Sequence, residues 1–425
     1  MKAVLTEGAD VSARASGFVK RRSKMSGSKF TQTLVLGWLK NSAASLDELT
    51  QTAAALQVPI TPQGLDERFS PAAAELLKQV LERALTKVIE GDRVNIPLLR
   101  RFNGVYLQDS TVIALPKSLA SQWSGLGNNR SEATAALKIQ VRFEYSTGQL
   151  DSLGLQAGRA ADRSAPSQTL ALPRQALRLA DLGYFSLKVL ADYAAAGVYF
   201  LTRLRVGTQL GQPAAAVFDL PDFLAHSPKT VIDQGIALGQ RQQLPCRLIA
   251  CRVPPEVGEQ RRRRLKEAAR KRQQAVSAEA LTLADWTIVV TNVPPELLSW
   301  QETLALLRVR WQIELLFKLW KSQGRIDESR SRNPWRVLCE VYAKLLAMVI
   351  QHWILLSCCW RYPDRSLFKA VKTIQGHVLH LATVFEQVTL ICQALEAIQQ
   401  GLSVGCRMNK RKKHPNTYQL LLQFP

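Results

Sequence analysis

Acidic residues are scarce in this chain. Its 425 residues hold 34 Asp and Glu against 56 Lys and Arg, a formal net charge of +22. Such a balance makes a polyanion the default partner, nucleic acid first and an anionic membrane surface second. Histidine is rare too, at 5 residues, and none of the 7 cysteines (246, 251, 339, 358, 359, 392, 406) stands in a C-x-x-C pair. A Cys/His zinc site is therefore not expected. An odd cysteine count, with no apolar segment in Met1–Lys20, points to a reducing cytoplasm rather than a secreted disulfide scaffold. No strand-turn-helix nucleophile elbow is read, although a nucleophilic Cys or a Ser-His-Asp arrangement stays open. Long hydrophobic runs are missing as well. The most apolar, Leu345–Trp360, spans 16 residues and contains Gln351 and His352. It is too short and too polar to cross a bilayer, reads as a buried helix, and implies no membrane partner. What remains, 47% hydrophobic and 21% charged, is a globular chain long enough for two to four domains.

Residues 1–29 carry Lys20, Arg21, Arg22, Lys24 and Lys29 among Ser and Gly. This reads as a mobile basic arm that lies on DNA. Ser45-Leu-Asp-Glu48 is a capping box that opens a helix ending near Val58-Pro59. Thr61-Pro62 opens a second helix towards Phe69. Two short helices across a tight turn suit a helix-turn-helix DNA reader, and equally a plain helical hairpin. A longer amphipathic helix follows over Ala72–Ile89.

The pattern changes at Val105. Strands are expected at Val105–Leu115, with Asp109 in the middle, at Leu137–Tyr145 and at Leu150–Gln156. A helical segment over Pro173–Leu179 leads to Ala180-Asp181, then come the helix Ser186–Ala196 and the strand Val198–Arg205. That order is the order of an RNase H-like core, with Asp109 on the first strand and Asp181 just after the fourth. Residues 206–284 read as a β-rich insertion with a basic limb, Glu259–Arg272, that is either solvated or in contact with nucleic acid. The core resumes with Trp286–Thr291. Residues 335–400 are helical, and Arg407 and Lys410–Lys413 make a basic tail.

Leu307–Asp327 reads as one helix with a charged stripe. Arg310, Glu314, Lys318 and Lys321, at offsets 0, 4, 8 and 11, fall on one face. Trp311, Leu315, Leu316 and Leu319 are expected on the opposite, buried side, flanked by Ile313 and Phe317. One reading is a solvated, salt-bridged face. The other is a metal-binding carboxylate with cations beside it for phosphates. Asp109, Asp181 and Glu314 together would supply hard oxygen ligands for two Mg²⁺ ions, about 3.5–4 Å apart, in an in-line displacement at phosphorus. Mn²⁺ is the expected substitute. Arg310, Lys318 and Lys321 would hold non-bridging oxygens.

Arg310-x3-Glu314-x6-Lys321, Gln108-Asp109-Ser-Thr and Ala180-Asp181-Leu-Gly183-Tyr184-Phe185 resemble the motifs of DDE transposases of bacterial insertion sequences, the group with the Y-x2-R-x3-E-x6-K signature. Trp123-Ser-Gly-Leu-Gly, Leu137-Lys138, Thr147-Gly148, Gly158-Arg159 with Asp162, and Thr291-Asn292-Val-Pro fit in order. The resemblance covers roughly residues 30–350. It departs at the signature's first position, where Leu307 stands for a DNA-contacting tyrosine. The resemblance implies cut-and-paste transposition: nicking, hairpin formation by the 3′-hydroxyl, reopening and strand transfer. It implies double-stranded DNA with terminal inverted repeats and target DNA as partners, a homodimer in the synaptic complex, and a bacterial, nucleoid-associated cytoplasmic location. It also implies a tryptophan that holds a flipped base, for which Trp286 is the candidate. A core position for Trp286 is the alternative, as is a structural or phosphate-neighbouring place for Asp162. An RNase H-like nuclease, or an inactive DNA-binding derivative, are the competing functions. The expected organisation is a basic arm and helical DNA-binding domain over 1–100, core over 101–205, insertion over 206–284, core over 285–345, and a helical region with a basic tail over 346–425.

Overall fold

The computed structural model describes residues 1–21, 24–126, 134–211 and 217–424. Arg22 of the expected arm, Gly127 of the Trp123–Gly127 stretch and 212–216 of the expected insertion lie outside the described residues. The chain forms two compact units. The first comprises Met1–Ile96, Asp109–Ala160 and Trp311–Tyr418, and the second Pro97–Gln108, Ala161–Arg310 and Gln419–Pro425.

Among the described residues the strands are β1 (Val105–Leu115), β2 (Ala135–Glu144), β3 (Leu150–Ala157), β4 (Leu177–Ala180), β5 (Tyr199–Arg203), β6 (Leu210–Gly211), β7 (Val217–Phe218), β8 (Val231–Leu238), β9 (Leu244–Arg252) and β10 (Trp286–Thr291). In the second unit, β1, β4 and β5 run parallel. β10, β9, β8, β6 and β7 continue that sheet antiparallel. The result is a mixed sheet with helices. Short parallel strands are buried on both faces and so lack polar alternation. This explains one correction. Pro173–Leu179 is not helical: a turn with Gln175 at φ 64° leads directly into β4. Ala-Leu-Arg-Leu-Ala is too short a run for periodicity to separate a buried strand from a helix.

In the first unit β2 and β3 form an antiparallel hairpin. Its turn is held by Glu144, which accepts from the Ser146 and Thr147 N–H groups at 2.8 and 2.6 Å. Gly148 sits there at φ +80°, a conformation an L side chain rarely adopts. His352 donates from Nε2 to the Gly148 carbonyl at 2.6 Å. Burial is the main cause that pushes the His352 pKa down to about 4. His352 lies on Pro334–Cys359, a helix of 26 residues. Among the described residues this is the one helix long and apolar enough, by length and composition, to cross a membrane, and 94% of its most apolar window is buried inside the protein. It packs against Pro71–Leu85 and Gly27–Lys40 as a core helix. The expected boundary at 345/346 is therefore corrected, because it would cut an unbroken hydrogen-bond ladder.

The N-terminal arm is corrected too. Val4–Gly8 is a π-helical turn and Ala9–Ala15 an α-helix, with Val4, Leu5, Ala9 and Ala13 buried. Helically spaced apolar residues fold this stretch, which follows Lys2 and holds Arg14, whereas the cluster of cations begins beyond it, at Lys20. The Ser45 capping box forms as expected, with Leu46–Ala55 behind it. The helix opened by Thr61 is only Pro62–Asp66, about 7.5 Å long. Pro71–Leu85 follows, N-capped by Ser70.

Candidate active site

β1 pairs with β4 so that Gln108 is the register partner of Ala180. The next residue along each strand direction is an aspartate, Asp109 on β1 and Asp181 after β4. Asp109 accepts the Ser110 N–H at 2.8 Å. Asp181 is 50% exposed and leads into the short turn Leu182–Tyr184. A β-carbon on Gly183 would approach Asp162 Oδ2 to 2.9 Å, so a side chain there would push the Asp162 carboxylate aside. Asp162 thus packs beside the turn that follows Asp181.

Sequence reasoning missed what these strands share in the core. Gln108 and Arg178 are 0% and 2% exposed. Arg178 donates from Nε and Nη2 to Gln108 Oε1 at 3.1 and 2.8 Å and also to Gln168 Oε1. Gln108 Nε2 donates to Ser167 Oγ at 2.9 Å. Gln168 Nε2 donates to the Tyr184 carbonyl at 3.0 Å, and Tyr193 donates to the Gln168 carbonyl at 3.0 Å. A satisfied buried polar network of this kind fixes one geometry, since any slip leaves a desolvated donor or acceptor. The available signal was a polar residue one place before Asp109 and another three before Asp181, each flanked in its strand by apolar residues on the N-terminal side.

The helix expected over Leu307–Asp327 is two helices, Trp300–Val309 and Trp311–Ser322, with Arg310 between them. Arg310 Nη1 lies 3.7 Å from Asp181 Oδ1. Lys321 donates to the Val112 carbonyl at 3.0 Å, three residues past Asp109 on β1. Glu314 is half-buried and Lys318 exposed. Ile313, Leu316, Phe317, Leu319 and Trp320 form the buried side. Trp311 does not join them. It is 53% exposed and, among the described residues, the one aromatic in the exposed large hydrophobics. Its phase explains this: at 100° per residue it lies about 20° from Lys318 and about 60° from Glu314.

Trp286 is the opposite case. It opens β10 at 4% exposure within a core cluster that includes Phe200, Leu224, Leu248 and Val290. The Arg252 guanidinium sits over its ring, 4.7 Å from the centroid. With the Arg252 guanidinium over its ring, Trp286 takes the core position that was the alternative to base holding, at the wall of a cavity it shares with Arg203 and Arg261.

Asp109 and Glu314 belong to the first unit and Asp181 to the second. Among the described residues no group of three His, Cys, Asp or Glu side chains could hold a metal ion as placed. The donor chemistry is nonetheless that of a hard cation, because all three candidates are carboxylates.

The profile of the family described as transposase DDE domain matches residues 100–350, a span that contains Asp109, Asp181 and Glu314. The chain belongs to the transposase DDE domain family. Such a domain implies an RNase H-like fold, and the parallel β1-β4-β5 arrangement agrees with it. Relatives extend beyond the domain. The transposase for insertion sequence element IS231F of Bacillus thuringiensis subsp. israelensis is 27% identical over 95% of this chain and 88% of its own length. The transposase for IS1151 of Clostridium perfringens is 24% identical over 81% and 77%. The transposase for IS421 of Escherichia coli is 26% identical over 80% and 88%.

Proposed function

We propose that this DDE-domain protein is the transposase of a bacterial insertion sequence, acting on double-stranded DNA at the element's inverted repeats and on target DNA. The observation that carries the reading is the β1–β4 register, which sets Asp109 and Asp181 directly after paired residues within the family's matched span. Asp109, Asp181 and Glu314 would hold two Mg²⁺ ions, replaceable by Mn²⁺, which when bound activate the attacking oxygen and stabilise the leaving one. The chain's own part is orientation and charge. Arg310, on the partly exposed approach to Asp181, and Lys318, on the exposed helix face, engage DNA phosphates. Lys321, bonded to β1, holds the Glu314 helix in register with that strand and adds its charge to the same face.

The finer assignments belong to the same proposal. Residues 206–284 are an insertion in the RNase H-like core, and the helices of the first hundred residues read the element end. The reaction runs through end nicking, a hairpin, its reopening and strand transfer, within a homodimeric synaptic complex on the nucleoid. The signature group is that of Y-R-E-K, with half-buried Leu307 replacing the tyrosine. Trp311 is the exposed aromatic on the Glu314 face, and an indole there suits stacking on an unpaired base.

A strand-transfer assay on paired element ends tests the reading. Glu314→Gln should lower cleavage about a thousandfold or more, roughly 4 kcal/mol, and leave end binding intact. Cleavage that survives the substitution, or binding that collapses with it, would remove Glu314 from the metal set.

A further inference from the structure

The Pro255–Lys271 helix has 17 residues, of which only Gly258 is buried. From Arg261 to Arg272 eight residues are Arg or Lys and one, Glu267, is acidic. Its inner side is held by few contacts. Arg261 donates to the Trp286 carbonyl at 2.9 Å and to Thr287 Oγ1 at 3.0 Å. Arg262 pairs with Asp285, and Gly258 packs against that same carboxylate. With 261 and 262 turned inward, the 100° step places Arg263, Arg264, Arg270 and Lys271 outward. Arg263 is 82% exposed and pairs with Glu267 at 3.0 Å. Among the described residues, Arg264, Lys266, Arg270 and Lys271 make no ion pair.

A second element points cations at the same place. Arg203 and Arg205, at and beyond the end of β5, line with Arg261 and Arg264 a cavity of about 1110 Å³. Burial first, and the Arg203 charge second, hold the Arg261 pKa below its ordinary value. Asp219, Asp222 and Glu279 also line this cavity, the two aspartates being engaged elsewhere. Asp219 accepts the Asp222 N–H at 3.1 Å as a helix cap, and Asp222 pairs with His226 at 3.2 Å. A solvated helix would place cations in its last turn, where they suit the helix dipole. That accounts for Arg270 and Lys271. It does not account for Arg263 and Arg264 in mid-helix, or for Arg203 and Arg205 on a separate strand end.

We propose that the outer face of this helix, together with Arg203 and Arg205, binds the phosphate backbone of duplex DNA of arbitrary sequence, the DNA outside the element. The straight helix is about 25 Å long, the rise of roughly seven base pairs. From Arg261 to Arg272 there is no Asn or Gln, so the face lacks the amide pairs that read adenine; its Arg and Lys side chains suit phosphate contacts, with guanine the one base edge they could read. This inference rests on the reading of the chain as a DNA transposase.

The test is equilibrium binding of the full chain to a random-sequence duplex and to an end-bearing duplex across a NaCl series. Arg263→Ala/Arg264→Ala/Lys266→Ala should lower the slope of log K against log salt by about 2–3 units, near 0.9 per lost phosphate contact. Both duplexes should lose affinity equally, so their ratio stays constant, and the melting temperature should not move. Arg263→Lys/Arg264→Lys should keep the parental slope. An unchanged slope would overturn the inference, as would a loss confined to the end-bearing duplex. So would a loss seen only on vesicles of anionic lipid. Wild-type chain that binds neither duplex would instead defeat the transposase reading. A normal wild-type slope, with Glu314→Gln blocking cleavage and the triple variant silent, would defeat the helix inference alone.

Discussion

The candidate carboxylates stand on two kinds of support. Asp109 and Asp181 follow strand residues whose positions are set by buried polar bonds, Gln108 and Arg178 with Ser167 and Gln168. Glu314 stands on a two-sided helix, apolar on one side and carrying Trp311 and Lys318 on the other. A polar network is directional and tolerates no slip, whereas an apolar helix face tolerates small rotations at little cost. The strand side therefore supplies fixed geometry, and the helix side presents an exposed face with Trp311 and Lys318 on it.

Substitutions can break that contrast. The largest effect is expected from Trp286→Ala, which should cost about 3–5 kcal/mol of stability as a core truncation. Its end nicking, measured well below the melting temperature, should be nearly normal. Wild-type stability in this variant, with hairpins lost, would restore Trp286 to the DNA. Arg178→Met leaves Gln108 and Gln168 without their buried donor and should cost about 3 kcal/mol. Because it disturbs the strand side, it should also raise the metal concentration needed for cleavage. A loss of stability with no change in metal requirement would reduce the network to plain core. Trp311→Ala should behave in the reverse way to Trp286→Ala. Stability should hold, while binding to an end with an unpaired terminal base weakens by about 1–3 kcal/mol; equal weakening on fully paired and unpaired ends would argue against stacking. The smallest effect belongs to Arg310→Ala. The pair with Asp181 is partly exposed and screened by solvent. Its removal should lower the salt slope of end binding by about one unit and lower the half-saturating metal concentration a few-fold. A higher metal requirement would show that Arg310 positions Asp181 rather than competing for it.

Much of this was legible in the residues. The strand Trp286–Thr291 is found with its expected ends, the Ser45 capping box forms, and Asp109 falls on its expected strand, because local pattern and tertiary context agree there. What was illegible has physical causes. β4 is too short and too buried to show a period. Trp311 was placed on the buried side because it is apolar, although its phase already set it with Lys318. For Trp286 base holding and a core position both stayed open, since no sequence pattern reveals that Arg252 covers the ring. The pairing of Arg178 with Gln108 was illegible because the partners that complete it, Ser167 and Gln168, come from a separate loop.

His352 has a bench-level consequence. In the unfolded chain its imidazole takes a proton near pH 6.5, but in the fold burial delays this to about pH 4. Between those values the unfolded chain binds the extra proton, so stability falls as pH drops, by about 3 kcal/mol over the whole window. A chain of net charge +22 invites capture on a cation exchanger in mildly acidic buffer, the very range in which this histidine works against the fold. Denaturant midpoints measured from pH 7 down to pH 4.5 should slide steadily. A flat profile would mean that the imidazole is reached by water and that the Gly148 turn opens more readily than its hydrogen bond suggests.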